Sequence, residues 1–197
     1  MQHYRDASTN PSIFLRLKET DTEPREIAWE QFHARYVPVI TGFARRLGGK
    51  SRDVDDVVQE VLLGFYLKSP TFVYDPSKGR FRRYLKVCVY NALKKRFGDK
   101  SRLLGKPLDE VDPESIAVDN LWNDVWEQQL LKRAVEVLRN EQGHTKTFTA
   151  FEKYVLLSEE PQQIAKDLDL HINTVYRAKD QLTRLLKVRL AQLREDE

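Results

Sequence analysis

The stretch Ser51–Tyr66, SRDVDDVVQEVLLGFY, decides how the chain is read. Val54, Val57, Val58, Val61, Leu62 and Phe65 stand at i, i+3, i+4, i+7, i+8 and i+11, one continuous apolar stripe along an α-helix. A strand would need alternation with a period of two, which these spacings break. Asp53, or Ser51 before it, can cap the start, and acidic residues in the first turn suit the positive end of the helix dipole. The opposite side carries Asp55, Asp56, Gln59 and Glu60, and residues 53–60 contain no Lys or Arg. Such a face can meet a basic protein surface or simply be solvated. Asp56 and Glu60 also lie side by side at i and i+4, where a divalent metal could bind, but no His or further carboxylate is spaced to complete the site.

The helical period extends to both sides of this segment. From Ile27 onward, Trp29, Phe32, Tyr36, Val39, Ile40, Phe43 and Leu47 recur at helical spacing up to a stop at Gly48-Gly49, with Pro38 expected to kink or divide the helix. Residues 1–24 form an N-terminal arm, polar and irregular, that reads as a mobile segment or a short extra helix. SPTFVYDPSKGR, residues 69–80, reads as a loop. A third helix follows from about Phe81 to Phe97, with Phe81, Tyr84, Leu85, Cys88, Ala92 and Leu93 on its apolar side. Residues 25–97 thus make one small helical domain.

Over residues 98–120 the periodicity stops, and Gly98, Gly105, Pro107 and Pro113 mark a flexible linker. It resumes with Leu121, Trp122, Val125, Trp126, Leu130, Ala134, Val137 and Leu138, which open a second domain over residues 121–197. Pro161–Leu170 reads as a short helix and turn and Ile172–Leu190 as a longer helix, a helix-turn-helix pattern. The expected fold is all-α: two small helical domains joined by a flexible linker, the second containing the helix-turn-helix.

The 33 Lys and Arg against 30 Asp and Glu leave a net charge of only +3, so a nucleic-acid function requires the positive charge to be gathered in patches. It is gathered. Between residues 78 and 106, Lys78, Arg80, Arg82, Arg83, Lys86, Lys94, Lys95, Arg96, Lys100, Arg102 and Lys106 are opposed only by Asp99. Tyr84, Tyr90 and Phe97 are interleaved with them. Cations neutralise phosphates and rings stack on unpaired bases, which suits opened DNA; the other reading is a solvated basic face with its aromatics in the core. Next to this run, residues 109–127 hold Asp109, Glu110, Asp112, Glu114, Asp119, Asp124 and Glu127 with no Lys or Arg, a stretch that can repel DNA, shield the patch or be solvated.

On the second helix of the helix-turn-helix, Ile172, Val175, Leu182, Leu185 and Leu186 point inward, while Asn173, Thr174, Arg177, Gln181 and Arg184 point outward, with His171 in the turn before them. An amide, a hydroxyl and a guanidinium can reach base edges or phosphates in a major groove. A single cysteine, Cys88, rules out a disulfide framework. The start, MQHYRDASTN, lacks the apolar core of a signal peptide, and no run approaches the length of a membrane span. A soluble cytoplasmic protein is expected.

Three of these segments together resemble the extracytoplasmic-function sigma factors of bacterial RNA polymerase. SRDVDDVVQEVLLGFY resembles the helix of conserved region two that grips the β′ clamp helices of the polymerase; by that resemblance Asp55, Asp56, Gln59 and Glu60 bind polymerase. FRRYLKVCVYNALKKR, residues 81–96, is similar to the adjoining promoter-melting helix, an aromatic-Leu pair with an Asn six residues later, here Tyr84, Leu85 and Asn91. This implies that Asn91 helps to hold a flipped base of the minus-ten element, with Arg82, Arg83, Tyr84, Lys86, Lys94 and Lys95 on the opened strand. PQQIAKDLDLHINTVYRAKDQLTRLLK, residues 161–187, resembles the helix-turn-helix of conserved region four, with Ile164-Ala165 and Thr174-Val175 as its signature pairs. The implied minus-thirty-five contacts are His171, Asn173, Thr174, Arg177, Gln181 and Arg184. After Thr-Val the family commonly has basic and serine residues, whereas this chain has Tyr176, Arg177 and Ala178.

The resemblance spans about residues 25–97 and 120–190. Its implied partners are core RNA polymerase, through the β′ clamp helices and the β flap, and promoter DNA, with an anti-sigma factor as a further candidate and no membrane. Neither cofactor nor metal is implied, and the chain would not be an enzyme. Two other readings use the same residues: a helix-turn-helix regulator that recruits no polymerase, and a metal-dependent nuclease built on Asp55, Asp56 and Glu60. Walker loops, dinucleotide fingerprints and nucleophile elbows are absent from the sequence.

Overall fold

A computed structural model describes residues 12–19, 21–73, 81–97, 102–103 and 106–195. The first eleven residues of the arm and Lys78, Arg80 and Lys100 of the basic run lie outside them. The described chain is all-α apart from one minimal hairpin. The described residues divide into two compact units, which part after Gln129.

In the first unit, helices α1 (Ser12–Arg16), α2 (Thr22–Arg46), α3 (Ser51–Lys68) and α4 (Phe81–Phe97) pack around a single core. α1 settles the two readings of the arm from Ser12 onward. Ile13, Phe14 and Leu17 are buried, and the Phe14 ring meets Phe81 and Phe65 at 4.8 and 6.2 Å between centroids. α2 runs through Pro38 without being divided. It ends where Gly48-Gly49 predicts: Gly48 takes a φ of 92°, its N–H donates to the Arg45 carbonyl, and the Gly49 N–H reaches back to Ala44. That is the paired hydrogen-bonding of a Schellman C-cap, in which only glycine takes a positive φ without strain. In α3 the whole stripe Val54, Val57, Val58, Val61, Leu62 and Phe65 is buried. Phe32 of α2 stacks on Phe65 at 4.5 Å.

The stretch expected to be a linker behaves differently. β1 (Arg102–Leu103) pairs antiparallel with β2 (Lys106–Pro107), and a 3₁₀ turn follows at Leu108–Glu110. Leu108 is fully buried, and the Tyr90 hydroxyl donates toward the carbonyl oxygens of Leu108 and Val111, 2.7 and 2.5 Å away. α5 (Ile116–Gln142) begins five residues before the expected start of the second domain, and the boundary between the units falls inside it. Its first part belongs to the first core: Val118, Trp122, Val125 and Trp126 are buried there, with Trp122 edge-on to Phe43 at 4.9 Å. The approach is close enough that a Cβ on Gly42 would lie 2.9 Å from Val125. The domain division expected at residue 120 therefore differs from the compact units by about two and a half turns of helix, because apolar residues on the two parts of α5 are buried in different cores.

The second unit is built from the rest of α5, α6 (Lys146–Phe151), a π-helical turn (Glu152–Leu156), α7 (Pro161–Leu168) and α8 (Ile172–Glu195). Ala134, Val135 and Leu138 pack with Phe148, Phe151, Leu182 and Leu186, while Ile164 and Val175 join α7 to α8 beside Ala150. The turn between α7 and α8 is a second Schellman cap: Asp169 has a φ of 51°, and the Leu170 N–H donates to the Ala165 carbonyl at 2.9 Å.

Candidate nucleic-acid and polymerase interface

α3 buries its stripe and thereby turns Asp55, Asp56 and Gln59 to solvent, with Glu60 half-buried beside them. The face is not bare. α4 packs on α3, and its last turn brings Arg96 to 2.5 Å from Asp56 and 3.6 Å from Glu60, while Lys95 reaches Glu60 at 3.1 Å. Sequence reading assigns Lys95 to the opened strand; in the structure its ammonium is engaged by the α3 carboxylate. Arg96 stands between Asp56 and Glu60, the position a metal ion bridging them would need. Asp55 and Gln59 are exposed and have no hydrogen-bond partner among the described residues.

α4 presents the remaining cations, and it is buried on a wider arc than its apolar residues alone imply. Phe81, Leu85, Val89, Ala92 and Leu93 face α2 and α3, while Tyr90 and Lys86 lie under the segment that follows β2. Lys86 is 3% exposed and its ammonium is paired with Asp119 of α5, so it is not available to DNA in this arrangement. Arg83 is exposed but held by Glu114 at 2.6 Å, an interaction that raises its pKa above the ordinary guanidinium value. Arg82 donates to the Asn123 amide oxygen and lies 5.1 Å above the Trp126 ring. Lys94 and Asn91 are exposed, and neither has a hydrogen-bond partner among the described residues.

The aromatics read as base-stacking platforms turn out to be structural. Tyr90 is fully buried, and Phe97 packs against the core. Tyr84 is tucked against Phe72 and Phe81 at 5.5 and 5.7 Å, beneath the Lys68 ammonium. Burial, with a hydrogen bond to Cys88, pushes its hydroxyl pKa up to about 12. Aromatic residues at i, i+6 and i+13 straddle the apolar stripe, so their type alone did not separate stacking from packing.

In the second unit every residue proposed for upstream contact projects from α8 or the turn before it. Asn173, Arg177, Gln181 and Arg184 are exposed and Thr174 is half-exposed. His171 caps the helix: its carbonyl accepts from the Thr174 N–H at 2.8 Å and its ring Nδ1 from the Asn173 N–H at 3.2 Å. Arg184 donates back to the Asp180 carbonyl. Ala178 is buried. Tyr176 leans edge-on against Tyr154 at 6.0 Å.

Sequence reasoning missed Glu114, Asp119 and Asn123 as partners of the α4 cations. The acidic run over 109–127 was the available signal, but which of its members point at α4 depends on how α5 docks.

The first unit is thus a helical domain that displays an acidic helix face and a cationic helix face side by side. Residues 32–103 match the family Sigma-70 region 2. Over that segment, a little more than a third of its length, the chain is similar to sigma-70 region 2. No curated protein matches the chain. Among the described residues there is no group of three His, Cys, Asp or Glu that could hold a metal ion, and no helix is long and apolar enough to cross a membrane.

Proposed function

We propose that the protein is a two-domain sigma factor of the extracytoplasmic-function type, acting in the cytoplasm to carry core RNA polymerase to specific promoters. The observation that carries this reading is the pairing, within the matched segment 32–103, of the outward acidic face of α3 with the exposed Asn91 and Lys94 on α4. Asp55, Asp56, Gln59 and Glu60 grip the β′ clamp helices. Asn91, whose amide can satisfy the hydrogen-bonding edge of an extruded base, holds a minus-ten nucleotide, and Lys94 with Arg82 and Arg83 follows the phosphates of the opened strand. α8 enters the major groove of the minus-thirty-five element with Asn173, Thr174, Arg177, Gln181 and Arg184, and the second unit also meets the β flap. The chain has no chemistry of its own in this mechanism; the polymerase performs the catalysis. An anti-sigma factor would act by covering one of these faces.

The test is to reconstitute holoenzyme from core polymerase and the full chain, capture genomic fragments and sequence those retained. A shared pair of motifs at minus-ten and minus-thirty-five spacing is expected, with transcripts starting downstream. A regulator that recruits no polymerase would retain the same fragments with and without core.

A further inference from the structure

The cations on the first half of α4 line a cleft of about 430 Å³ together with Glu114, Asp119, Trp122 and Asn123. Its chemistry is that of an anion site. Arg82, Arg83 and Lys86 supply the positive charge, and the indole Nε1–H of the buried Trp122 has no acceptor among the described residues. In the free chain these cations are met from within: the Glu114 carboxylate bonds Arg83, the Asp119 carboxylate bonds Lys86, and the neutral Asn123 amide supplies an oxygen to Arg82. Three consecutive contacts from one short acidic segment match three cations from one helix.

We propose that residues 114–123 form an autoinhibitory strap whose carboxylates occupy the sites that nucleic-acid phosphates take on α4. The inference rests on the reading of α4 as a DNA-contacting helix. Val118 and Trp122 anchor the strap in the core, which holds its carboxylates at a fixed position over the cations. Phosphates therefore compete in stages. The Arg83–Glu114 pair is exposed and exchanges readily, whereas Lys86 becomes available only when the strap lifts. Weak binding of single strands by the free protein follows, with stronger binding once the strap has been displaced.

The experiment titrates a fluorescent mixed-sequence single-stranded DNA with the full chain and with the double variant Glu114→Gln/Asp119→Asn, over a range of salt. The variant is expected to bind roughly tenfold tighter at low salt, with a log–log salt slope steeper by about 1.4, corresponding to two further phosphates on a single strand. Equal affinities and equal slopes would overturn the strap. Hydrogen exchange on the unaltered chain gives a second readout that does not depend on how the variant folds. Exchange over residues 114–123 should rise on addition of the DNA; unchanged or slower exchange there would contradict displacement. Core polymerase binding by both proteins is measured in parallel. Its retention alongside equal DNA affinities rejects the strap alone, and its loss in the unaltered chain rejects the underlying reading as well.

Discussion

Lys86 and Asp119 form an ion pair across 33 residues of chain, with the lysine side chain 4% exposed and the aspartate 50%. A buried ammonium needs an anionic partner, so the pair ties the acidic start of α5 to the middle of α4. Replacing Asp119 by Ala should lower the stability of the first unit by about 2 kcal/mol, less than for a fully buried pair because the aspartate is half in water. Lys86→Met/Asp119→Ala should recover most of the loss. Urea unfolding of the two proteins checks this, and a double variant no more stable than Asp119→Ala would show that the pair is not what holds the segment.

The pairs on the other side of α4 are exposed and should behave differently. Arg96→Ala should change stability by less than about 1 kcal/mol, as is usual for surface ion pairs. Asp56→Asn and Glu60→Gln should each weaken binding to core polymerase about tenfold or more, whereas Arg96→Ala should leave it intact or strengthen it. Surface-immobilised core polymerase gives the comparison directly.

Asn91 is exposed and has no hydrogen-bond partner among the described residues, so Asn91→Ala should be within about 0.5 kcal/mol of the parent in stability. Promoter opening, followed by permanganate reactivity of unpaired thymines, should nevertheless fall well below the parent while polymerase binding is retained. Parallel loss of both would count against base capture.

Tyr84 gives a pH signature. Its folded pKa of about 12 lies above the unfolded value near 10, so the stabilisation is fully present below pH 10 and is lost as the pH rises from 10 to 12. Discounted for partial solvent contact, the loss is on the order of 1–2 kcal/mol. Absorbance titration should show a late-ionising tyrosine that disappears in Tyr84→Phe. A Tyr84 that ionised with the exposed tyrosines would mean that its ring is free to stack.

Asp169 holds a φ of 51° at the turn between α7 and α8, a conformation that glycine adopts without a Cβ penalty. Asp169→Gly should stabilise the second unit by about 0.5–1 kcal/mol without altering the exposed face of α8. Thermal unfolding provides the measurement.

Much of this architecture was legible in the sequence, and the exceptions share one cause. The valine stripe located α3, the double glycine ended α2, and the period change at Asp169–His171 located the turn before α8, because each is a local pattern. What failed was non-local. Val118, Trp122, Val125 and Trp126 have the same helical period as Ala134 and Leu138 farther along α5, and nothing in a period says that the two groups enter different cores. The same docking buries Lys86 and Tyr90, which α4 alone would leave at the edge of its stripe. Ile13, Phe14 and Leu17 did carry a helical spacing, but it is too short to stand out from the polar arm around it.

The most direct test of the central claim is whether the full chain forms a complex with core RNA polymerase. Stoichiometric co-elution in size-exclusion chromatography is expected, lost on combining Asp56→Asn with Glu60→Gln, together with promoter-dependent transcription by the complex. A correctly folded chain that elutes apart from core polymerase would contradict the claim.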